Sequence, residues 1–192
     1  ENLARWIEYH LRELARKHNA FLQDTRDFLN YIEDKNKNNS PFDKNKIWLV
    51  SRDIVNYYPS CDTNMCIEAV KKLLETREKN YPDRDSICEA LQITMSSNNC
   101  EFLGRHFTQI DRATIGGPES ASVTDIYGAV FIDEKIVENI INKEEDWKRY
   151  RDDSCSISTN TTAERESSKT EWMNNKIVKD KIKFTMEISQ NK

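Results

Sequence analysis

A chain of 192 residues is long enough for one domain with a real core. Its composition, 37% apolar and 32% charged, is polar for a compact globule, and a net charge of −4 argues against a protein that coats nucleic acid by bulk charge, although a local basic groove stays open. No apolar run approaches the length of a membrane span, and no signal peptide opens the chain. The five cysteines, Cys61, Cys66, Cys88, Cys100 and Cys155, show no Cys-x-x-Cys spacing. A reduced intracellular compartment, nuclear or cytoplasmic, follows as the simplest expectation, with neither secretion nor a structural zinc site. The chain opens on ENLARW without a methionine and closes on FTMEISQNK as a strand is under way, so it reads as an excerpt of a longer protein.

In chain order, LARWIEYHLRELA sets Leu3, Ile7, Leu11 and Leu14 at helical spacing, with Trp6 beside them. DTRDFLNYIED predicts a second helix, capped by Asp24 or Thr25, with Phe28, Leu29 and Ile32 facing inward. KNKNNSPFDKN is a polar loop. KIWLVSRDIV is a strand-like apolar run, interrupted by Ser51, Arg52 and Asp53. Two helices follow, one with Ile67, Val70, Leu73 and Leu74 inside and one with Ile87, Leu91 and Met95 inside. CEFLGRHFTQI predicts a hairpin turning at Gly104-Arg105. IGGPES is a glycine-rich turn with Pro118 at a helix start. A long helix over ASVTDIYGAVFIDEKIVENII then has Val123, Ile126, Tyr127, Val130 and Phe131 on its inner face. WKRYRDDSCSI is a second hairpin, TTAERESSKTEWMNNKI a polar helix, and KIKFTMEIS a one-faced strand alternating Ile182, Phe184, Met186 and Ile188. The order predicts an α+β fold, an antiparallel sheet backed by helices.

Asp152 and Asp153 stand side by side in the second hairpin. Neighbours on a regular strand point to opposite faces, but a bend lets both project toward one region. Their mutual repulsion is relieved by a divalent cation, and magnesium takes a few carboxylates plus substrate phosphates. Two such ions about 4 Å apart can clamp the attacking and leaving oxygens of a phosphoryl transfer. Asp53, at the end of an apolar strand, is the candidate third carboxylate. If its strand neighbours the hairpin, Asp53 and Asp152 face the same ions. The plainer alternative is that Asp152 and Asp153 only form a turn and Asp53 only ends a strand.

RDIVNYYPS, IGGP and YRDD, in that order, resemble the palm motifs of reverse transcriptases, with the look of Penelope-like retroelements. Lesser echoes in FLQDTRDFLNYI, EFLGRHFTQIDRATIGGPESASVTDIYGAVF and IKFTMEIS extend the resemblance over almost the whole chain. It implies a polymerase palm over 46–192, truncated before the thumb, preceded by a helical segment and loop over 1–45 on the fingers side. It makes Asp53, Asp152 and Asp153 the catalytic and metal-binding acids, with the Ile54 carbonyl helping to hold a metal: two magnesium ions, or manganese in their place. Tyr58 falls where these enzymes keep an aromatic that excludes a ribose 2′-hydroxyl; an ordinary core tyrosine is the alternative. Gly116 and Gly117 would let the backbone approach the template base or deoxynucleotide, unless they are a plain helix-initiating turn. Among the basic residues of the tail, Lys181 and Lys183 are the candidates for a nucleic-acid contact, with a solvated face as the alternative; upstream, Lys44 and Lys46 are candidates for the triphosphate, although a solvated loop is the plainer reading. The partners implied are an RNA template, a DNA primer and deoxynucleotides, without a membrane.

The sequence also departs from that family. Ile115 stands where many members have glutamine, Arg112 where glycine is usual, and Arg52 replaces a small or apolar residue. Drift in a decaying element is the ready explanation of both arginines. The expected activity is therefore RNA-directed DNA polymerisation, the alternative a silent remnant that keeps the palm fold with weak nucleic-acid binding. An RNA polymerase with a related palm is a third reading, against which Tyr58 speaks. His10, His18 and His106 lack metal-ligand spacing, and Cys61 and Cys66 read as small buried residues.

Overall fold

The computed structural model describes residues 1–37, 47–78, 82–139, 146–158, 161–178 and 181–190. The chain forms two compact units, each discontinuous in sequence: Glu1–Lys17 with Asn56–Val130, and His18–Val55 with Phe131–Lys192. The segment 1–45 thus gives its first helix to one unit and its second to the other. Most of the polar loop, with Lys44 and Lys46, lies outside the described residues. The architecture is α+β, as the order of elements implies. Among the described residues no helix is long and apolar enough to cross a membrane.

The first unit is helical. Helix α1 (Asn2–Ala15) buries Ile7, Leu11 and Leu14 at the expected spacing, while Leu3 stays exposed. After the short helix α3 (Tyr57–Ser60) come α4 (Thr63–Glu75) and α5 (Arg84–Ser96). Each of the latter two is capped by an aspartate: Asp62 accepts from the Asn64 and Met65 amides, Asp83 from Ser86. The buried face of α4 is Cys66, Ala69, Val70 and Leu74, so Cys61 and Cys66 are indeed small buried residues, while Ile67 and Leu73 are only half-buried. The strands β2 (Asn98–Phe102) and β3 (Arg105–Gln109) form the first hairpin. It turns at Leu103-Gly104, one residue before the expected place, and both turn residues have positive φ, as two-residue hairpin loops of this kind require. Helix α6 (Ser120–Gly128) is buried along nearly its whole length.

The expected long helix is not uniform. Between α6 and α7 (Glu134–Asn139) the chain makes a π-helical turn over Ala129–Asp133, where it passes from the first unit to the second. One extra residue per turn has no signature in apolar spacing, because it only rotates the next turns about the helix axis.

The second unit is built on a four-stranded antiparallel sheet, ordered β4 (Asp146–Tyr150), β5 (Asp153–Ser158), β1 (Trp48–Ile54) and β6 (Phe184–Gln190). Residues 20–22 line the free edge of β4: the Arg149 amide donates to the Ala20 carbonyl at 2.7 Å, and the Leu22 amide to the Arg149 carbonyl at 2.9 Å. Helix α2 (Thr25–Lys37) half-buries Phe28, Tyr31 and Ile32. Leu29, expected inside, is 56% exposed, since it lies about 100° around the helix from Phe28. Lys35 on the same helix pairs with Asp146. Burial and the adjacent Asp146 carboxylate push the Tyr31 phenol far above its ordinary pKa.

Strand β1 alternates strictly, with Val50, Arg52 and Ile54 on the buried face and Leu49, Ser51 and Asp53 on the exposed one. A guanidinium in the core must find partners for its donors, and Arg52, only 2% exposed, does. It donates to Glu166 Oε2 at 2.6 Å, Thr170 Oγ1 at 3.0 Å and Ser156 Oγ at 3.0 Å. Glu166 and Thr170 come from helix α8 (Ala163–Lys176), capped by Thr162. Glu166 Oε1 accepts from Thr161 and Lys169. Arg52 is therefore an integral part of the core, which corrects its reading as drift.

Burial pushes the Glu166 carboxyl up, but bonds from Lys169, Thr161 and Arg52 outweigh it and hold the group below its ordinary 4.5. A carboxyl depressed in the folded state contributes stability above its unfolded pKa, lost as pH falls through the folded value. Glu166→Gln should therefore cost about 3–5 kcal/mol at pH 7, because Arg52 stays buried without its counter-charge. It should also flatten the acid side of the stability profile. Urea unfolding at pH 7 and below pH 4 checks both, and an unchanged acid slope would count against Glu166 as its source.

Candidate active site

The exposed face of the sheet gathers the acids. In the antiparallel register Asp53 on β1 lies directly opposite Asp153 on β5, and Asp153 opposite Tyr150 on β4. On the other side of β1, Thr185 faces Asp53. Direct partners share a face, with Cβ atoms about 5 Å apart, so Tyr150, Asp153, Asp53 and Thr185 form one row across four strands. Asp53 itself is exposed; the charge that this strand buries is Arg52.

Asp152 is not part of this row. It occupies the two-residue turn Arg151-Asp152, where Arg151 has φ 56°. Its carbonyl accepts the Ile54 amide at 3.0 Å, so the ladder runs one step beyond the Asp53–Asp153 pair. Ile54 ends β1 with its side chain buried. The residue opposite Asp53 is thus Asp153, with Asp152 held beside both by the turn. Partial burial, then the charges of Asp152 and Asp53, raise the Asp153 carboxyl above its ordinary value. All three acids stand in one electrostatic field.

That field is the test of fit for a cation. Among the described residues no three His, Cys, Asp or Glu side chains form a ready-made metal cage. Magnesium seldom uses one; it takes one or two carboxylates and completes its shell with water and substrate phosphate. A mutually repelling acid cluster at an open sheet face fits that habit.

The other predicted residues are distributed over both units. Lys181 and Lys183 are exposed just before β6. The Lys183 carbonyl accepts from the Val55 amide, and by strand parity its side chain shares the face of Thr185 and the acids. Arg151 lies with its guanidinium 5.3 Å from the Tyr150 ring centre. Tyr58 belongs to the first unit, half-buried in α3, edge-on to Tyr57 with ring centres 6.0 Å apart. Gly116 and Gly117 are in that unit too. Gly116 has φ 94°, a conformation that favours glycine, while a Cβ on Gly117 would stand 2.5 Å from Ser120 Oγ, so that hydroxyl would have to turn away.

Arg112 has φ 83°, in the region that favours glycine. Its amide donates to Thr63 Oγ1 and Asp111 Oδ1, and its guanidinium pairs with Asp111 at 3.2 Å and Asp62 at 3.6 Å. The side chain is thus engaged by acids of its own unit. Asp133 is the residue that sequence reasoning misses, because the helix register beyond a π turn cannot be read from spacing; its partner at 2.9 Å, Arg149, reads from sequence as one of the solvated basic residues and is instead buried.

No protein-family model matches the sequence, and no curated protein is significantly similar to it. Solved structures are. Apo telomerase from Candida tropicalis superposes with a TM-score of 0.72 at 13% identity, covering 100% of this chain and 36% of that one. The same enzyme truncated from its C-terminal domain gives 0.69 at 14% identity, covering 100% and 41%. Telomerase from Candida albicans in complex with a TWJ fragment of telomeric RNA gives 0.69 at 11% identity, covering 98% and 35%. The chain therefore spans about two fifths or less of those telomerases. At such identities the likeness concerns the fold, which is that of a reverse transcriptase-related enzyme; it does not single out Penelope-like elements.

A residue with a Cβ in the left-handed region costs about 1–2 kcal/mol, and half-exposed ion pairs contribute at most about 1 kcal/mol. Arg112→Gly should thus be roughly 1 kcal/mol more stable than Arg112→Ala, which loses the pairs and keeps the strain. Equal urea midpoints for the two variants would remove strain from this position.

Proposed function

We propose that this chain is the palm-centred part of an RNA-directed DNA polymerase, of the kind carried by Penelope-like retroelements. The observation that carries the reading is the Asp53–Asp153 cross-strand pair with Asp152 in the adjoining turn, on a fold like that of telomerase. In the reaction a primer 3′-hydroxyl attacks the α-phosphate of a deoxynucleotide, forming a phosphodiester and releasing pyrophosphate. Asp53, Asp152 and Asp153, with the Ile54 carbonyl, would hold magnesium or manganese, whose positive charge activates the attacking oxygen and neutralises the leaving phosphate. Lys183, on the face of the acids, offers a nucleic-acid phosphate contact, as does Lys181. Template base pairing selects the base, and Tyr58 the sugar.

The test is primer extension on an RNA template with deoxynucleotides and either metal. Loss of an outer partner of a metal ligand costs about 10–100-fold, so Asp53→Ala or Asp152→Ala, which removes a ligand, should cost more than about a hundredfold. Persistent extension by Asp152→Ala would sink the assignment. Tyr58→Ala should raise ribonucleotide incorporation, and unchanged sugar selectivity in an active enzyme would remove the gate. A folded chain with no extension would favour the second reading, a silent palm, for which the strained Arg112 speaks.

A further inference from the structure

We propose that Arg149 is a positioning residue for the acidic turn, setting Asp152 from below the sheet; the proposal rests on the polymerase reading for its consequence in catalysis. Arg151 adopts a conformation that the two-residue turn asks for but that is disfavoured for any residue with a Cβ, so a group that contacts the turn steadies it. The group that does so is the Arg149 guanidinium, whose Nη1 donates to the Arg151 carbonyl at 2.8 Å.

The guanidinium has no freedom of its own. Its Nε lies 3.0 and 2.9 Å from the two Asp133 oxygens, and its Nη2 lies 2.9 Å from Oδ2. Asp133 Oδ1 also accepts from Trp147 Nε1 at 2.8 Å. The Arg149 backbone is pinned through both its amide and its carbonyl, by Ala20 and Leu22. Arg149 and Asp133 are both buried. A rigid fork fixed at one end to a helix carboxylate and at the other to a turn carbonyl is a geometric device. A lysine, a point charge on a flexible stem, cannot span both. Stability alone does not ask for it, since well-packed apolar side chains replace buried ion pairs at little loss. The position of Asp152 is thereby tied to the π-helical turn that delivers Asp133.

The test uses Arg149→Lys and, because that variant could unfold, the double variant Arg149→Met with Asp133→Asn, which keeps an acceptor for Trp147. Three readouts are taken: backbone hydrogen exchange, Mn²⁺ binding by electron paramagnetic resonance, and primer extension against magnesium concentration. In a folded variant the amides of Ile54 and residues 151–154 should exchange at least about tenfold faster, with those of α8 and β6 unchanged. Mn²⁺ affinity should fall by about 10–100-fold, and extension should be partly rescued by high metal. Wild-type exchange and affinity in both variants would overturn the proposal, as would faster exchange spread evenly over the sheet, which marks a merely structural residue. If the wild type neither binds Mn²⁺ nor extends a primer, the polymerase reading fails, while exchange localised to the turn still supports Arg149 as its clamp.

Discussion

Charge taken out of water has to be matched group by group, and beneath the four-stranded sheet this is done twice. Arg52 and Arg149 lie on the inner face on either side of Ser154, their common cross-strand partner. Each finds its carboxylate on a different helical segment, Glu166 on α8 and Asp133 at the π turn. Strand parity then decides what lies above. In SRD on β1 and in KRY on β4, an inward arginine forces its neighbours outward, and Asp53 comes to the open face for the same reason that Arg52 leaves it. A one-residue slip of β1 would bury Asp53 and expose Arg52, leaving a carboxylate and Glu166 both unmatched. The register that builds the site is the register that satisfies the core.

Much of this can be read in advance, for identifiable reasons. Helix α1 and strand β6 announce themselves because their apolar residues repeat at 3.6 and 2. The acid hairpin is legible because bend residues stand between two strand-like runs. The neighbourhood of β1 and β5, a matter of topology, can only be supposed. Other features leave no periodic trace: that Asp53 faces Asp153, the π turn, and the role of Arg52, which composition alone marks as a misfit in an apolar strand. Leu29 is misplaced by spacing because three apolar residues in a short helix fit more than one face.

Backbone strain is concentrated where local chemistry would not suggest it. Among the described residues Asn56, Leu103, Arg112, Arg151 and Val178 have positive φ without being glycine. At Arg112 the amide and guanidinium are held by Thr63, Asp111 and Asp62. Burial pushes Asp111 up, but bonds from Thr63 and Arg112 outweigh it and keep the carboxyl low. At Arg151 the clamp comes from the buried Arg149. In both places a surrounding network over-determines a conformation that the residue itself resists.

The central strand β1 has both of its hydrogen-bonding neighbours far along the chain, at 153–158 and 184–190. During synthesis it leaves the ribosome with two unpaired edges and an arginine that has no carboxylate to meet. At about 5–20 residues per second, roughly 5 to 30 seconds pass before its partners exist. Pairings of such sequence separation close slowly. The same arrangement that places the acids side by side therefore makes this unit a late folder, with the strand that carries Asp53 the segment most exposed to mispairing or chaperone capture on the way.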